Sequence, residues 1–227
     1  MLNLDLDLLF SGFIEGIYIS VFTLLATFIL EILSIEYIFV LLRKNNGKNL
    51  YFKSICMNLI NNLILSTISY AFFTYFFSNN NSISLLKILV ETLCILSIQS
   101  ILYFLIHILM HTETLYFIHS FHHMYSDIVL PVSANSVSIY EFILAYMMPF
   151  ILSIVTLNPH RLSLKLSIGI VSISNLIIHT PWLSDHSKLL PDFLVKTSDH
   201  IDHHKKFKIK FAAPILNLDY FIKKFFS

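Results

Sequence analysis

The sequence predicts an all-α, polytopic membrane protein of about four to five membrane helices with a histidine-rich cap on the cytoplasmic side. Three observations predict it. Of the 227 residues, 56% are hydrophobic and only 13% charged, with mean hydropathy +0.74, whereas soluble domains carry about 25% charged residues. The apolar residues gather into runs near the ~20 residues a bilayer requires. Eight of the 11 histidines fall in three short strings.

The first expected span, residues 17–42, runs into the basic, polar stretch 43–48. Residues 1–10 are acidic through Asp5 and Asp7 and lack the basic start of a cleavable signal peptide. Residues 55–77 form the second span and end in the polar turn 78–82; residues 85–110 form the third. Residues 142–157 and 162–178 are shorter and joined by Asn158, Pro159, His160 and Arg161. They read as a hairpin that dips into the bilayer or just spans it. With no internal repeat and no linker, residues 1–227 are expected to form one membrane domain. A net charge of +1 gives no basis for nucleic-acid binding. Cys56 and Cys94 lie in apolar runs and are expected as small core residues.

Placing residues 43–53 in the cytoplasm brings 12 of the 15 Lys and Arg to that side, the exceptions being Lys87, Arg161 and Lys165. This agrees with the positive-inside rule. The same topology puts all three histidine strings on one face, as a shared site requires.

Those strings are His107 with His111, then His119-Ser120-Phe121-His122-His123, then His200-Ile201-Asp202-His203-His204. On helices, spacings of three and four put the imidazoles of each string on one side. His107 and His111 alone would serve equally well as interfacial residues at a helix end. A repeated H-x-x-H-H is hard to explain as packing, because buried histidines need partners. Neutral imidazole binds iron, zinc and copper. Eight or nine histidines exceed the needs of one four-coordinate zinc and suit two metals. A metal pair beside apolar helices points to oxygen chemistry on a lipid, although the residues alone do not select iron over zinc. His160, at the hairpin tip, is expected on the opposite face as an ordinary residue. His186 is expected at the surface or bonded to a metal ligand.

Glu31, Glu36 and Glu91 lie in the expected spans. Intramembrane carboxylates pair within the bundle, and Glu31 is expected to bond Asn61 or Asn62, with Glu36 reaching the interface. Asp127, Asp199 and Asp202 adjoin the strings and either orient imidazole N–H groups or are solvated. The 21 Phe and 11 Tyr are expected mainly at lipid-facing or interfacial positions.

The histidine pattern resembles the fatty acid hydroxylase superfamily, also called the sterol desaturase family, over residues 85–227. The family runs H-x-x-x-H, then about seven residues that often include Leu-Tyr, then H-x-x-H-H. Here these are His107 and His111, Leu115 and Tyr116, then His119, His122 and His123. A lone histidine after an apolar helix follows in the family, then H-x-x-H-H and an aromatic stretch ending in Trp-Asp. Here these are His179, then His200, His203 and His204, with Asp219 at the distance of the Asp. The family's His-Pro-x-Glu element is Ser138-Ile139-Tyr140-Glu141, so only Glu141 matches, with Asn135 nearby as a substitute ligand or hydrogen-bond partner. The family's Asn-Tyr after the last box is Lys210-Phe211.

The resemblance implies that His107, His111, His119, His122, His123, His179, His200, His203 and His204 hold two iron ions, with zinc able to replace iron in purified protein. It implies O2-dependent hydroxylation or desaturation of a sterol, sphingoid or fatty acyl chain. No b-type cytochrome domain is seen, so electrons are expected from a separate protein, a b-type cytochrome or a ferredoxin with its reductase. Alternatives on the same residues are an alkylglycerol-type ether-lipid monooxygenase and a non-catalytic metal-binding relative marked by Ser138. A metal transporter would want ligands in mid-membrane. The ending Lys223-Lys224-Phe225-Phe226-Ser227 fits interfacial anchoring in an endoplasmic reticulum or bacterial inner membrane.

Overall fold

The computed structural model describes residues 6–226 apart from 78, 80 and 83. Helix α1 (Leu6–Leu33) stops at Ser34 and is followed by the short α2 (Ile35–Arg43). Four long helices follow: α3 (Gly47–Phe76), α4 (Leu85–Met110), α5 (Ile139–Leu157) and α6 (Arg161–Ile178). With α1, these make five helices long and apolar enough to cross a membrane. The described residues form no strand. Beyond α6 come α7 (Thr197–Lys206) and the exposed, amphipathic α8 (Leu218–Phe226).

The expected boundaries change in two places. The first span begins at Leu6 and ends at Leu33, not at residues 17 and 42. Hydropathy does not see the break at Ser34, because apolar residues continue across it. Helix α2 instead buries only Ile38 and Leu41, against Tyr125, Leu130 and Val132 of the cap. The second span starts eight residues early, at Gly47, because its first turns are helical but carry the polar Lys48, Asn49 and Lys53. Helices α5 and α6, of 19 and 18 residues, are long and apolar enough to cross.

Helices α1 and α3 approach closely along a stripe of small residues. Gly12, Gly16, Ser20, Thr23 and Thr27 are all buried on α1. A Cβ on Gly16 would stand 2.9 Å from the Thr67 carbonyl oxygen, and one on Gly12 would stand 2.7 Å from Thr74 Cβ. Small residues let backbones meet in lipid, where apolar burial drives little association. Helix α3 turns π-helical over Ile60–Ser66, and Ser20 Oγ donates to the Asn62 carbonyl at 2.5 Å.

At the end away from the histidines, each cation that stood outside the cytoplasmic set meets a carboxylate. Glu15 lies 3.1 Å from Arg161 and 3.0 Å from Lys165, and Glu91 lies 3.9 Å from Lys87. Glu91 also accepts from the His160 backbone N–H at 2.9 Å and from Ser163 at 2.8 Å. His160 caps α6 by accepting from Leu162 N, and so lies far from the other imidazoles.

Glu31 does not bond Asn61 or Asn62. It accepts from Tyr51 OH and, at 2.8 Å, from the Val132 N–H. The asparagines serve the same segment. Asn58 donates to Val132 O at 3.0 Å, and Asn61 to Asn135 O and Val137 O at 2.7 and 2.9 Å. Polar residues of the spans thus hold the irregular backbone of residues 131–137, which is tolerated at depth only when bonded to protein. Glu36 is exposed, as expected of an interfacial carboxylate. The cysteines are not core: Cys56 is half-buried and Cys94 exposed on the outer face of α4.

Candidate metal centre

The last turn of α4 carries His107 and leads into His111, which follows its end. The chain then folds back through a short helix, Tyr116–His119, and a 3-10 turn, His122–Tyr125. These point His119, His122 and His123 inward, all buried. His179 follows the end of α6, and α7 presents His200, His203 and His204 from one side. All nine predicted histidines come together. They divide into His107, His111, His119, His123 and His203, and His122, His179, His200 and His204. Within each set the ligand-type nitrogens lie within 4.8 Å of one another.

The backbone fixes several tautomers. His107 Nδ1 donates to Phe211 O at 2.8 Å, His179 Nδ1 to Asn175 O at 2.7 Å and His203 Nδ1 to Ile209 O at 2.7 Å. His119 Nδ1 donates to Glu141 Oε1 at 2.7 Å, and both side chains are wholly buried. A carbonyl or carboxylate oxygen only accepts, so each of these rings carries a proton on Nδ1, and its neutral form has the lone pair on Nε2. Yet His107 Nε2 faces His119 Nε2 at 3.0 Å. Two lone pairs at that distance repel unless a cation lies between them.

The other contacts follow suit. His111 Nε2 lies 3.3 Å from His107 Nε2 and 3.1 Å from His123 Nε2. In the second set, His179 Nε2 lies 3.2 Å from His122 Nε2 and 2.9 Å from His200 Nε2, with His204 Nε2 3.1 Å from His200 Nε2. Ligands about 2.1 Å from one ion sit ~3.0–3.4 Å from each other, so the spacing fits a coordination shell. Among the described residues, His203 Nε2 and the Nδ1 atoms of His122, His123, His200 and His204 are buried with no partner. The residues therefore fit metal ions. Burial, aided by neighbouring imidazoles, lowers the pKa of His111 to about 3 and those of His179 and His203 to about 4. The same causes hold His122, His123, His200 and His204 well below 6.5. All are kept in the neutral form that metals require.

Other expected partners lie elsewhere. Asp127 pairs with Lys44 at the surface, and Asp199 and Asp202 both bond Lys210 at 2.8 Å. No imidazole bond to any of the three is found among the described residues. His186 is exposed and stacks on Trp182. Asn135 lines a cavity beside the centre, and its side-chain nitrogen has no hydrogen-bond partner among the described residues. Ser138 caps α5, accepting from Glu141 N at 3.1 Å and donating to Ile118 O at 2.7 Å. Asp219 accepts from Ala212 N at 2.7 Å, which braces the strand of backbone behind Phe211.

Sequence reasoning gave Glu141 no role, although the Ser-x-x-Glu spacing marks a helix start and so fixes where that carboxylate points. The carbonyl partners left no signal. Two of the three, those of Ile209 and Phe211, lie in residues 207–211, where Phe207 and Lys210 have positive φ of 58° and 56°. Such angles are uncommon for residues other than glycine and asparagine. The two ion pairs of Lys210 hold it there.

The fold and these nitrogens define a polytopic membrane protein whose two histidine clusters fit metal ions. Residues 92–223 match the family model described as fatty acid hydroxylase, and the chain belongs to the fatty acid hydroxylase family. No curated protein and no solved structure matches it significantly.

Proposed function

We propose that this protein is a membrane-bound di-iron oxidoreductase that uses O2 to hydroxylate or desaturate a lipid. The observation that carries the reading is the division of nine imidazoles, eight of them buried, into two sets with mutually facing Nε2 atoms. Two bound iron ions supply the oxygen-activating, one-electron chemistry that an unactivated C–H bond needs. The histidines hold the metals as neutral donors. Glu141 and the carbonyls of Phe211, Asn175 and Ile209 fix the rings so that Nε2 faces inward. Phe211 packs edge-on against His107, His111 and His203 and helps to keep water from the first set. The five helices deliver a substrate from the bilayer. Hydroxylation takes one oxygen atom into the lipid and the other into water, which requires two electrons from a separate b-type cytochrome or ferredoxin. Desaturation uses the same two electrons to remove two hydrogens from the lipid, and both oxygen atoms leave as water.

The centre belongs on the cytoplasmic side, because that orientation follows the basic residues and leaves Arg161 and Lys165 neutralised by Glu15. The chain acts as one domain in an endoplasmic reticulum or bacterial inner membrane. Ser138 favours no loss of function, since it caps α5 and both sets form without it.

The test is iron-loaded protein supplied with native lipids, O2 and reductant. Mass spectrometry should show a gain of one oxygen or a loss of two hydrogens. His122→Ala and His203→Ala, one from each set, should each abolish product and lower bound metal. Neither product from the fully loaded wild type with a competent donor would replace this reading with a non-catalytic metal-binding one. Zinc in purified protein is compatible with the site but gives an inactive form.

A further inference from the structure

On the bilayer side of the imidazoles, between α1, α3, α5 and α6, lies a cavity of about 80 Å³. It adjoins the metal centre through two connections. Asn175 in its wall is one turn, ~6 Å of helix, before His179, and Phe142 in its wall follows Glu141. Near the cap the wall is polar, with Asn61, Asn135, Tyr146 and Asn175, and deeper it is apolar, with Phe73 and Phe150.

Amides inside a membrane protein need partners. Asn61 donates to two carbonyls, and Asn175 donates to Ala134 O at 2.9 Å. Asn135 differs: its side-chain nitrogen is buried with no partner among the described residues. Both helices that flank it depart from α-geometry at this level. Helix α3 is π-helical over Ile60–Ser66 and α5 over Phe142–Met147, and such distortions gather at functional sites. A free amide donor beside the cap, with apolar walls deeper, suits a lipid oxygen with the carbons next to it.

We infer that the cavity receives a hydroxyl or carbonyl oxygen of the lipid, bonded by Asn135, so that the carbon oxidised lies a few bonds from that oxygen and not near a terminal methyl. The regiochemical half rests on the lipid-oxidising function proposed above.

The experiment uses the full chain, metal-loaded, in lipid nanodiscs with two photoreactive probes. One is hexadecan-1-ol with a diazirine three carbons from the hydroxyl; the other is hexadecane with the same diazirine. The alcohol should label residues of the cavity wall on α3, α5 or α6, and the alkane only lipid-facing residues. Asn135→Ala should reduce wall labelling about tenfold, the loss expected for one buried hydrogen bond, without lowering the unfolding temperature. Equal labelling by both probes, no wall labelling by either, or full labelling of Asn135→Ala would overturn the inference. Product mapping separates the two claims. Oxidation only at carbons remote from the oxygen would overturn the inference and leave the function. Wall labelling by the alcohol without any oxidised lipid would overturn the function and leave the oxygen-binding cavity.

Discussion

Replacing Glu141 should loosen one metal and spare the other. Its Oε1 accepts from His119 Nδ1 at 2.7 Å, and neither side chain is exposed. A buried bond to a charged acceptor contributes ~1.5–3 kcal/mol, against ~0.5–1.5 for a neutral amide. Glu141→Gln should therefore cost ~1–1.5 kcal/mol, or about tenfold in affinity. Its amide nitrogen would also replace Oε2, which has no partner among the described residues. Glu141→Ala strands the His119 N–H, and losses of ring-orienting partners run ~10–100-fold. His119 belongs only to the set of five. The assay is bound metal per chain, by elemental analysis, against rising chelator. In both variants one equivalent should leave at lower chelator, further for Ala than for Gln, while the other leaves as in wild type. Circular dichroism should show unchanged helix. Release of both equivalents at the wild-type chelator concentration from Glu141→Ala would refute the claim that this carboxylate orients a ligand.

Gly16→Leu should weaken the α1–α3 contact, because its Cβ would meet backbone at 2.9 Å; overpacking predicts a loss of ~1–3 kcal/mol in unfolding measured in detergent. Lys210→Ala should cost about 1 kcal/mol, discounted for partial exposure, and its difference from wild type should depend on pH. The Lys210 ammonium holds the Asp202 carboxyl below its usual range, so the contribution is full above pH ~4 and lost as pH falls through the lowered value. Unfolding curves that stay equally separated in acid would contradict this. In a background free of Cys56 and Cys94, Met124→Cys and Lys206→Cys should react with a membrane-impermeant reagent from the cytoplasmic side and Asn81→Cys from the other. Labelling of Met124→Cys and Lys206→Cys from opposite sides would end the shared-site reading. Asn80, in the polar turn expected on the side opposite the cytoplasm, lies outside the described residues.

Much of the centre was legible because its signal is local. A histidine repeated at three and four positions survives any detail of packing, and α7 realises that spacing directly. The first H-x-x-H-H does so across a short helix and a 3-10 turn, and still aims all three rings inward. The division into five and four was not legible, because it sends adjacent His122 and His123 to different sets. Glu31 was misassigned because its partner Val132 is 101 positions away and offers a backbone N–H, which every residue but proline has. Adjacency alone left Asp199 and Asp202 open as ring partners or solvated charges. Their side chains leave α7 on another face and meet Lys210.

The asparagines of α3 bear on how the protein is made. Asn58 and Asn61 find their carbonyl partners only in residues 131–137, more than 70 positions downstream. A ribosome delivers α3 to the membrane well before those residues emerge. Mean hydropathy of α3 is 1.4, the lowest of the five spans, against 2.1 for α1. The contact with α1 through Gly12 and Gly16 is available from the start, as is the bond from Ser20 to Asn62 O. The first two spans are thus built to enter the bilayer as a pair, with α1 sheltering the amides of α3 until the later chain arrives to bond them.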